Sequence, residues 1–316
     1  MKFSILIPAY KARFLKECIE SILAQTCPDF ELIIVNDASP EDLTSIVKSF
    51  DDSRIHYFVN ERNCGAINVV DNWNKCFAYA KGDYVICMGD DDKLLPCCLE
   101  EYGKLIEKHP GLGIYHAWTE IIDEHSQAII MQEARPEVEG VYSMLWGRWN
   151  GRIQFIGDFL FERKRLVEQG GFYKIPLAWA SDDISAYRAA QEDGIANMQV
   201  PGFQYRINAH TISNTGNVGM KLDASVLEEE WYKTLLQHEP DVQAQPEHLY
   251  WRMAKAYLPN MMMKKRIFTI AKDMQHNGFI RICTYIRQRK RYRLSGKMIV
   301  YAIIETLKIK NAVKWW

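Results

Sequence analysis

The residue types and spacings that can do chemistry in this sequence lie in three acidic clusters. The densest is Gly89-Asp90-Asp91-Asp92, directly after the apolar run YVICM. Three successive carboxylates cannot all ionise close together without a countercharge. A hard divalent cation that also binds diphosphate oxygens supplies one, because such ions take oxygen ligands and keep some from the substrate. The same residues equally make an acidic turn that caps the next helix, since Asp is a good N-cap. The second cluster is Asp37 in VNDASPED. Its carboxylate can accept the imide N–H of a uracil or another base edge, or Asp37, Ser39 and Pro40 can simply shape a turn. The third is Ser181-Asp182-Asp183, which opens a helical stretch running to Arg188. A carboxylate there can take the proton of an attacking hydroxyl. Its structural alternative is an N-terminal pair favourable to the helix dipole, worth about 0.3–1 kcal/mol.

These clusters need elements to position them, and the first half of the chain alternates strand and helix. Phe3 to Ile7 is a β-branched run closed by Pro8, followed by a helix from Phe14 to Gln25. ELIIVND, RIHYFVN and YVICMG read as further strands, with helices over 43–50 and 69–80 between them and another over 96–108. Continuous apolar strands separated by helices indicate a parallel sheet buried on both faces. Right-handed crossovers then predict a doubly wound, mainly parallel α/β unit with ligands at the carboxyl ends of its strands. Asp37, the 89–92 cluster and Pro8-Ala9-Tyr10 all fall at such ends. Further on, the segment 113–141 reads as antiparallel strands and connections, and 151–161 as a loop and strand. A short helix covers 164–169 and a longer one 182–192, and from Val226 the pattern is almost all helix. The expected division is a catalytic domain over 1–220 and a helical, basic extension over 221–316.

SILIPAY, SILAQTCPDFELIIVNDAS, the Asn63-Cys64-Gly65 turn, the Ala80-Lys81-Gly82-Asp83-Tyr84 step and GDDDKLLP follow one another over about residues 1 to 110. Together this series resembles family 2 glycosyltransferases with the GT-A fold. The resemblance implies a nucleotide-sugar donor and dependence on Mn²⁺ or Mg²⁺. It implies that Pro8, Ala9, Tyr10 and Asp37 hold the nucleoside with the turn at Asn63, that Asp90 faces the ribose or phosphate, and that Asp91 binds the metal with help from Asp90 or Asp92. Gly89 stands where many members carry an acid. The family pattern has Glu-Asp with an Arg six residues after the Asp. Counting back from Arg188 makes Asp182 the base, with Ser181 in place of the Glu and Asp183 as the substitute. Tyr205-Arg206-Ile207-Asn208-Ala209-His210 is similar to the segment that closes over the diphosphate, so Arg206 or His210 would touch the leaving phosphate. The implied reaction is an inverting transfer from a nucleotide-sugar, with a UDP-sugar favoured, to a hydroxyl of a saccharide or lipid-linked acceptor in surface polysaccharide or glycan synthesis.

Composition bounds the rest. The chain has 316 residues and a formal net charge of -1. From Arg252 to Trp316 there are 16 Lys/Arg against Asp273 and Glu305, while the remainder carries 23 Lys/Arg against 38 acids. Such asymmetry points to a basic surface meeting something anionic. Apolar residues interleave with Lys264-Lys265-Arg266 and with the run Arg287 to Arg293, as in helices lying on an acidic membrane. A solvated basic face packed on an acidic domain has the same composition. No nucleic-acid motif accompanies the charge. The apolar run MIVYAII is far too short to span a bilayer. Eight cysteines without a disulfide-like spacing, and a start that leads directly into a strand, fit a reduced cytoplasmic protein at the inner face of the membrane. Trp146, Trp149 and Trp179 are candidates to stack on sugars. Two rival readings are a sugar nucleotidylyltransferase, which needs a Gly-rich loop that IPAYKARF lacks, and a degenerate nucleotide-sugar-binding scaffold.

Overall fold

The computed structural model describes residues 2–207 and 217–312, with side chains to 308. By packing, the chain forms two units: Met1–Lys174 with Ala180–Thr211, and Ile175–Trp179 with the segment from Ile212 onward. The first is an α/β unit. Its strands are β1 (Phe3–Ala9), β2 (Phe30–Asn36), β3 (Ile55–Val59), β4 (Tyr84–Cys87), β5 (Lys93–Leu94), β6 (Ile114–Ile122), β7 (Ala128–Met131), β8 (Val138–Glu139), β9 (Phe159–Glu162) and β10 (Ile195–Arg206). Its helices are α1 (Leu15–Leu23), α2 (Leu43–Lys48), α3 (Val69–Tyr79), α4 (Cys98–Lys108), α5 (Val141–Trp149), α6 (Arg163–Glu168) and α7 (Ser181–Ala190).

The sheet runs β3-β2-β1-β4-β9-β6-β10-β5, with β7 on β6 and β8 on β10. β3, β2, β1 and β4 are parallel, as the alternation of strands and helices predicts. β9 runs antiparallel to both β4 and β6, whereas β10 pairs parallel with β6. Phe3, Ile5, Leu32, Ile34 and Ile86 form one core with Leu15, Cys18 and Ile22 of α1 and with Leu99 and Tyr102 of α4. A polar knot fixes the register of the first strands. Buried Glu31 accepts from Ser4 Oγ and the Lys81 N–H, both at 2.6 Å, and from the Gly82 N–H at 3.2 Å. A Cβ on Gly82 would approach Ser4 Oγ to 2.7 Å, so the Lys81-Gly82 step needs glycine.

Two elements have no counterpart in the sequence reading above. The strand β10 carries Pro201-Gly202 in its middle. The strand tolerates the proline because its pairing with β6 shifts register on both sides of Pro201. The helix α5 fills the stretch between 141 and 151, to which the pattern assigned no element.

The interior beneath β6 and β9 is unusually polar. Asp158 is fully buried and accepts from Thr119 Oγ1 and the Phe155 N–H, both at 3.0 Å on Oδ2. His116 Nε2 lies 3.6 Å from the same oxygen. Burial, against the pull of nearby Arg135, raises the Asp158 carboxyl to about 8, and burial forces His116 neutral.

The second unit is helical: α8 (Val218–Leu235), α9 (Glu247–Asn277), α10 (Arg281–Arg287) and α11 (Gly296–Ala312). Leu222, Ile267, Ile270, Met274, Tyr285, Met298 and Ala302 make its core. Acidic residues of α8 take up part of the basic excess. Glu228 pairs with Lys265 at 2.6 Å, Glu229 with Arg266 at 2.6 Å, and Asp223 with Arg291 at 2.7 Å. Among the described residues no helix is long and apolar enough to cross a membrane.

The buried Asp158 gives a pH test. In the folded chain it keeps its proton to about pH 8, whereas an unfolded Asp loses it near 3.8. Between those values the unfolded state binds fewer protons, so stability falls as pH rises. Asp158→Asn keeps an acceptor for Thr119 and Phe155 and removes that slope. Its melting temperature, followed from about pH 5 to about pH 8, is expected to gain steadily on the parent chain. Parallel curves for the two would show that Asp158 is already ionised.

Candidate active site

After β4 the chain turns through Gly89 into the three aspartates, and each has a different environment. Asp90 Oδ2 accepts the N–H groups of Tyr10 at 2.6 Å and Lys11 at 2.7 Å, tying the end of β1 to the end of β4. Burial, then repulsion from Asp91, raises its carboxyl to about 6. Asp92 is only 4% exposed, and both its oxygens take backbone donors: Gly89 N at 3.2 Å and Arg206 N at 3.0 Å. Burial and Asp91 hold it well above the usual carboxylate range. Asp92, expected beside Asp91 as a metal ligand, is thus held by a backbone donor on each oxygen. A Cβ at Gly89 would come within 2.8 Å of Asp91 Oδ1 and 2.9 Å of Asp92 Oδ2, so a side chain there would require both carboxylates to shift.

Arg206, expected at a donor phosphate, instead lies buried beneath this loop. It donates from Nε to the Asp91 carbonyl (2.8 Å), from one terminal nitrogen to the Asp123 carbonyl (3.0 Å), and from the other to Glu17 (3.0 Å) and Ser126 Oγ (3.1 Å). Its guanidinium also sits 4.2 Å over the Phe14 ring. With four of its N–H groups so engaged, it holds the acidic loop in place. His210 and Asn208 lie outside the described residues.

The next crevice wall forms where β1 and β2 end in register, with Pro8 opposite Val35 and Ala9 opposite Asn36. Ser39 Oγ donates to the Tyr10 carbonyl at 2.6 Å, and the Tyr10 ring is exposed. Asp37 is buried. Its Oδ1 accepts from Asn60 Nδ2 at 2.7 Å and from the Cys64 N–H at 2.9 Å, and Oδ2 shares that N–H at 3.1 Å. Asn60 in turn donates to Asn72 Oδ1 at 2.9 Å. Asn63 is exposed and accepts the Gly65 N–H, so it builds the turn that Asp37 anchors.

The third cluster opens α7, whose first turn holds Asp182 and Asp183 and follows Ala180 at φ +75°. The two acids face different surroundings. Asp183 is buried and accepts from Arg148 Nε at 3.0 and 3.1 Å and from Gln154 Nε2 at 2.7 Å. Asp182 is half-buried and adds to the field that raises Arg148. Tyr205 ties this cluster to the acidic loop: burial raises its phenol, and Asp92, Asp91 and Asp182 raise it further, so all three lie within its electrostatic reach. Arg188 instead donates to the Gln169 carbonyl at 2.6 Å. Arg148, Gln154 and Asn60 were not foreseen, because a lone Arg, Gln or Asn in a polar stretch carries no periodic signal. Trp146 and Trp149 are half-buried on α5 beside Arg148, whereas Trp179 belongs to the helical unit and lies under Lys221 and Lys265 at 5.1 and 5.5 Å.

The donor set suits a divalent cation: Asp90, Asp91 and Asp92 repel one another at a strand end, with Lys11 and Arg206 among the groups that offset them. Among the described residues no three His, Cys, Asp or Glu side chains are arranged to hold a metal alone, so such an ion would need substrate oxygens.

Comparison with known proteins agrees with this architecture. An uncharacterized glycosyltransferase of Methanocaldococcus jannaschii is 36% identical over 128 residues, 40% of this chain and 42% of that one. The GalNAc(5)-diNAcBac-PP-undecaprenol beta-1,3-glucosyltransferase of Campylobacter jejuni is 30% identical over 136 residues, 36% of this chain and 43% of that one. The chain spans about half the length of the curated relatives it matches. The crystal structure of S. aureus TarS 1-349 in complex with UDP-GlcNAc superposes with a TM-score of 0.67 at 13% identity, covering 99% of this chain and 92% of that one, and so shares its fold, the GT-A fold. The family model for glycosyl transferase family 2 matches residues 4–171, more than half of the 316. On that match, and with the acidic groups gathered at the strand ends of a GT-A sheet, the chain belongs to glycosyltransferase family 2.

Proposed function

We propose that this chain is an inverting, metal-dependent glycosyltransferase that moves a sugar from a UDP-sugar to a hydroxyl of a saccharide or lipid-linked acceptor. The observation that carries the reading is the meeting of two acidic clusters at the end of β10, where the Arg206 N–H binds Asp92 and the preceding Tyr205 feels both Asp91 and Asp182. The exposed Tyr10 ring offers a face for the base. Asp37 holds the 60–64 turn around the nucleoside and stands at the base edge as the acceptor for an imide N–H. Asp91 would hold Mn²⁺ or Mg²⁺ together with the diphosphate; when bound, the ion supplies positive charge to the departing group. Asp90 and Asp92 keep that loop in shape.

The chemistry assigned to the chain's own groups is a single displacement. Asp182 takes the proton of the acceptor hydroxyl while that oxygen bonds to the anomeric carbon. The bond from that carbon to the diphosphate oxygen breaks on the opposite face, which inverts the centre. Asp183 is the weaker candidate for the base, because Arg148 and Gln154 already occupy its oxygens. Support for the donor comes from the UDP-GlcNAc bound by S. aureus TarS. Support for a glycan-building role comes from the undecaprenol-linked substrate named for the C. jejuni relative, and from the putative teichuronic acid biosynthesis enzyme of Bacillus subtilis, 36% identical over 93 residues, 28% of this chain and 36% of that one.

We assign transfer to residues 1–220 and a peripheral contact with the cytoplasmic face of an acidic membrane to 221–316. On α11, Val300, Tyr301, Ile304 and Leu307 repeat at helical spacing and are 40–54% exposed, while Met298, Ile299 and Ala302 fill the core from the other side. Lys297 and Lys308 flank that stripe. An apolar face between cations suits an anionic bilayer, each Lys adding about 1 kcal/mol near its surface.

A panel of sugar nucleotides, scored for hydrolysis with Mn²⁺, should contain at least one that turns over. Asp182→Asn is expected to lower that turnover by about 10²–10⁴-fold and leave UDP affinity unchanged. Asp91→Asn should abolish the gain in UDP affinity that Mn²⁺ confers, measured by titration calorimetry. Retained turnover in Asp182→Asn would remove the assigned base. Vesicles rich in phosphatidylglycerol should sediment the parent chain and lose it when Val300 and Ile304 are both changed to Glu. Equal binding to neutral vesicles, or no effect of the double change, argues against the membrane contact.

A further inference from the structure

The nucleotide-side acids and the base sit on segments far apart in sequence, and one aromatic contact joins those segments. The rings of Phe155 and Tyr205 stack with centroids 3.7 Å apart and planes within 7°. Each ring is one residue from a group that holds an acidic cluster. Tyr205 precedes Arg206, whose N–H binds Asp92 at 3.0 Å and whose Nε binds the Asp91 carbonyl at 2.8 Å. Phe155 follows Gln154, whose amide binds Asp183 at 2.7 Å beside Asp182, and its own N–H is fixed on Asp158 at 3.0 Å. Two residues on, a Cβ at Gly157 would come within 2.4 Å of the Phe203 ring, so this segment is already in close contact with β10.

We propose that the Phe155–Tyr205 stack is a positioning element that sets the separation between Asp91 and Asp182, so that the leaving diphosphate and the attacking hydroxyl are addressed on one sugar. This inference rests on the reading given under Proposed function. Neither ring is a catalytic residue here, because each acts through the neighbour it anchors. Flat aromatic carbon in van der Waals contact resists compression, and removing one ring opens a gap of about 3.5 Å into which the segments can shift. A misplacement of about 1 Å at reacting groups costs on the order of 100-fold in rate. The Tyr205 phenol stays protonated in this acidic surrounding, so its hydroxyl contributes no charge to the site.

The test compares Tyr205→Phe, Tyr205→Ala, Phe155→Ala and the double Ala variant, using UDP-GlcNAc or whichever sugar nucleotide of the panel turns over. Tyr205→Phe keeps the stack and should stay within about 2-fold of the parent in kcat. Either Ala variant should lose about 100-fold in kcat, with UDP affinity in Mn²⁺ held within about 3-fold, and the double variant should be no slower than the singles. If the Ala variants do not fold, Tyr205→Leu, which fills much of the volume but cannot stack, should still lose about 10-fold or more. Parent-like kcat in Tyr205→Ala or Tyr205→Leu, a Tyr205→Phe loss as large as that of Tyr205→Ala, or multiplying effects in the double variant each overturn the spacer role. A parent chain that binds no UDP and turns over no sugar nucleotide overturns the proposed function, and this inference with it.

Discussion

Arg206 is the residue around which the α/β unit is organised. A guanidinium without partners inside a protein is strongly destabilising, and breaking such a pair costs about 3–5 kcal/mol. This one meets carbonyls of Asp91 and Asp123, the carboxylate of Glu17, the hydroxyl of Ser126 and the face of Phe14. Those groups come from the acidic loop, the β6–β7 turn and the start of α1. One buried cation therefore fixes three segments at the carboxyl edge of the sheet. It also lets three consecutive aspartates coexist there with part of their repulsion offset.

The same physics divides the roles of neighbouring acids. Within 90–92, two carboxylates are turned inward onto backbone N–H groups, which relieves some of the cost of burying them. At α7, Asp183 is drawn into the Arg148–Gln154 pair and Asp182 stays half-buried. In both places a run of like residues resolves into a brace and a candidate reactive group.

The helical unit applies similar logic to an excess of positive charge. Lys265, Arg266 and Arg291 are matched by acids of α8, so part of the +14 imbalance beyond Arg252 is internal architecture. The exposed apolar stripe of α11 is a separate feature. A helix apolar on both faces satisfies one with its own core and leaves the other for an apolar environment.

The alternation of strands and helices through residue 108, the acidic positions at the strand ends and the basic helical tail were all legible from the sequence, because period and composition are local properties. The register of β10 was not, since it shifts on both sides of Pro201 and is set by pairing with β6. Nor could the sequence say that the Arg206 N–H meets Asp92, or that Arg148 donates to Asp183. Those assignments depend on partners 114 residues away for Arg206 and Asp92 and 35 for Arg148 and Asp183. Local residue types determined which charges exist and which strand end or helix start carries each. The tertiary structure decided which of them are neutralised by burial and long-range hydrogen bonds, because desolvation is set by what packs around a group and not by its neighbours in the chain.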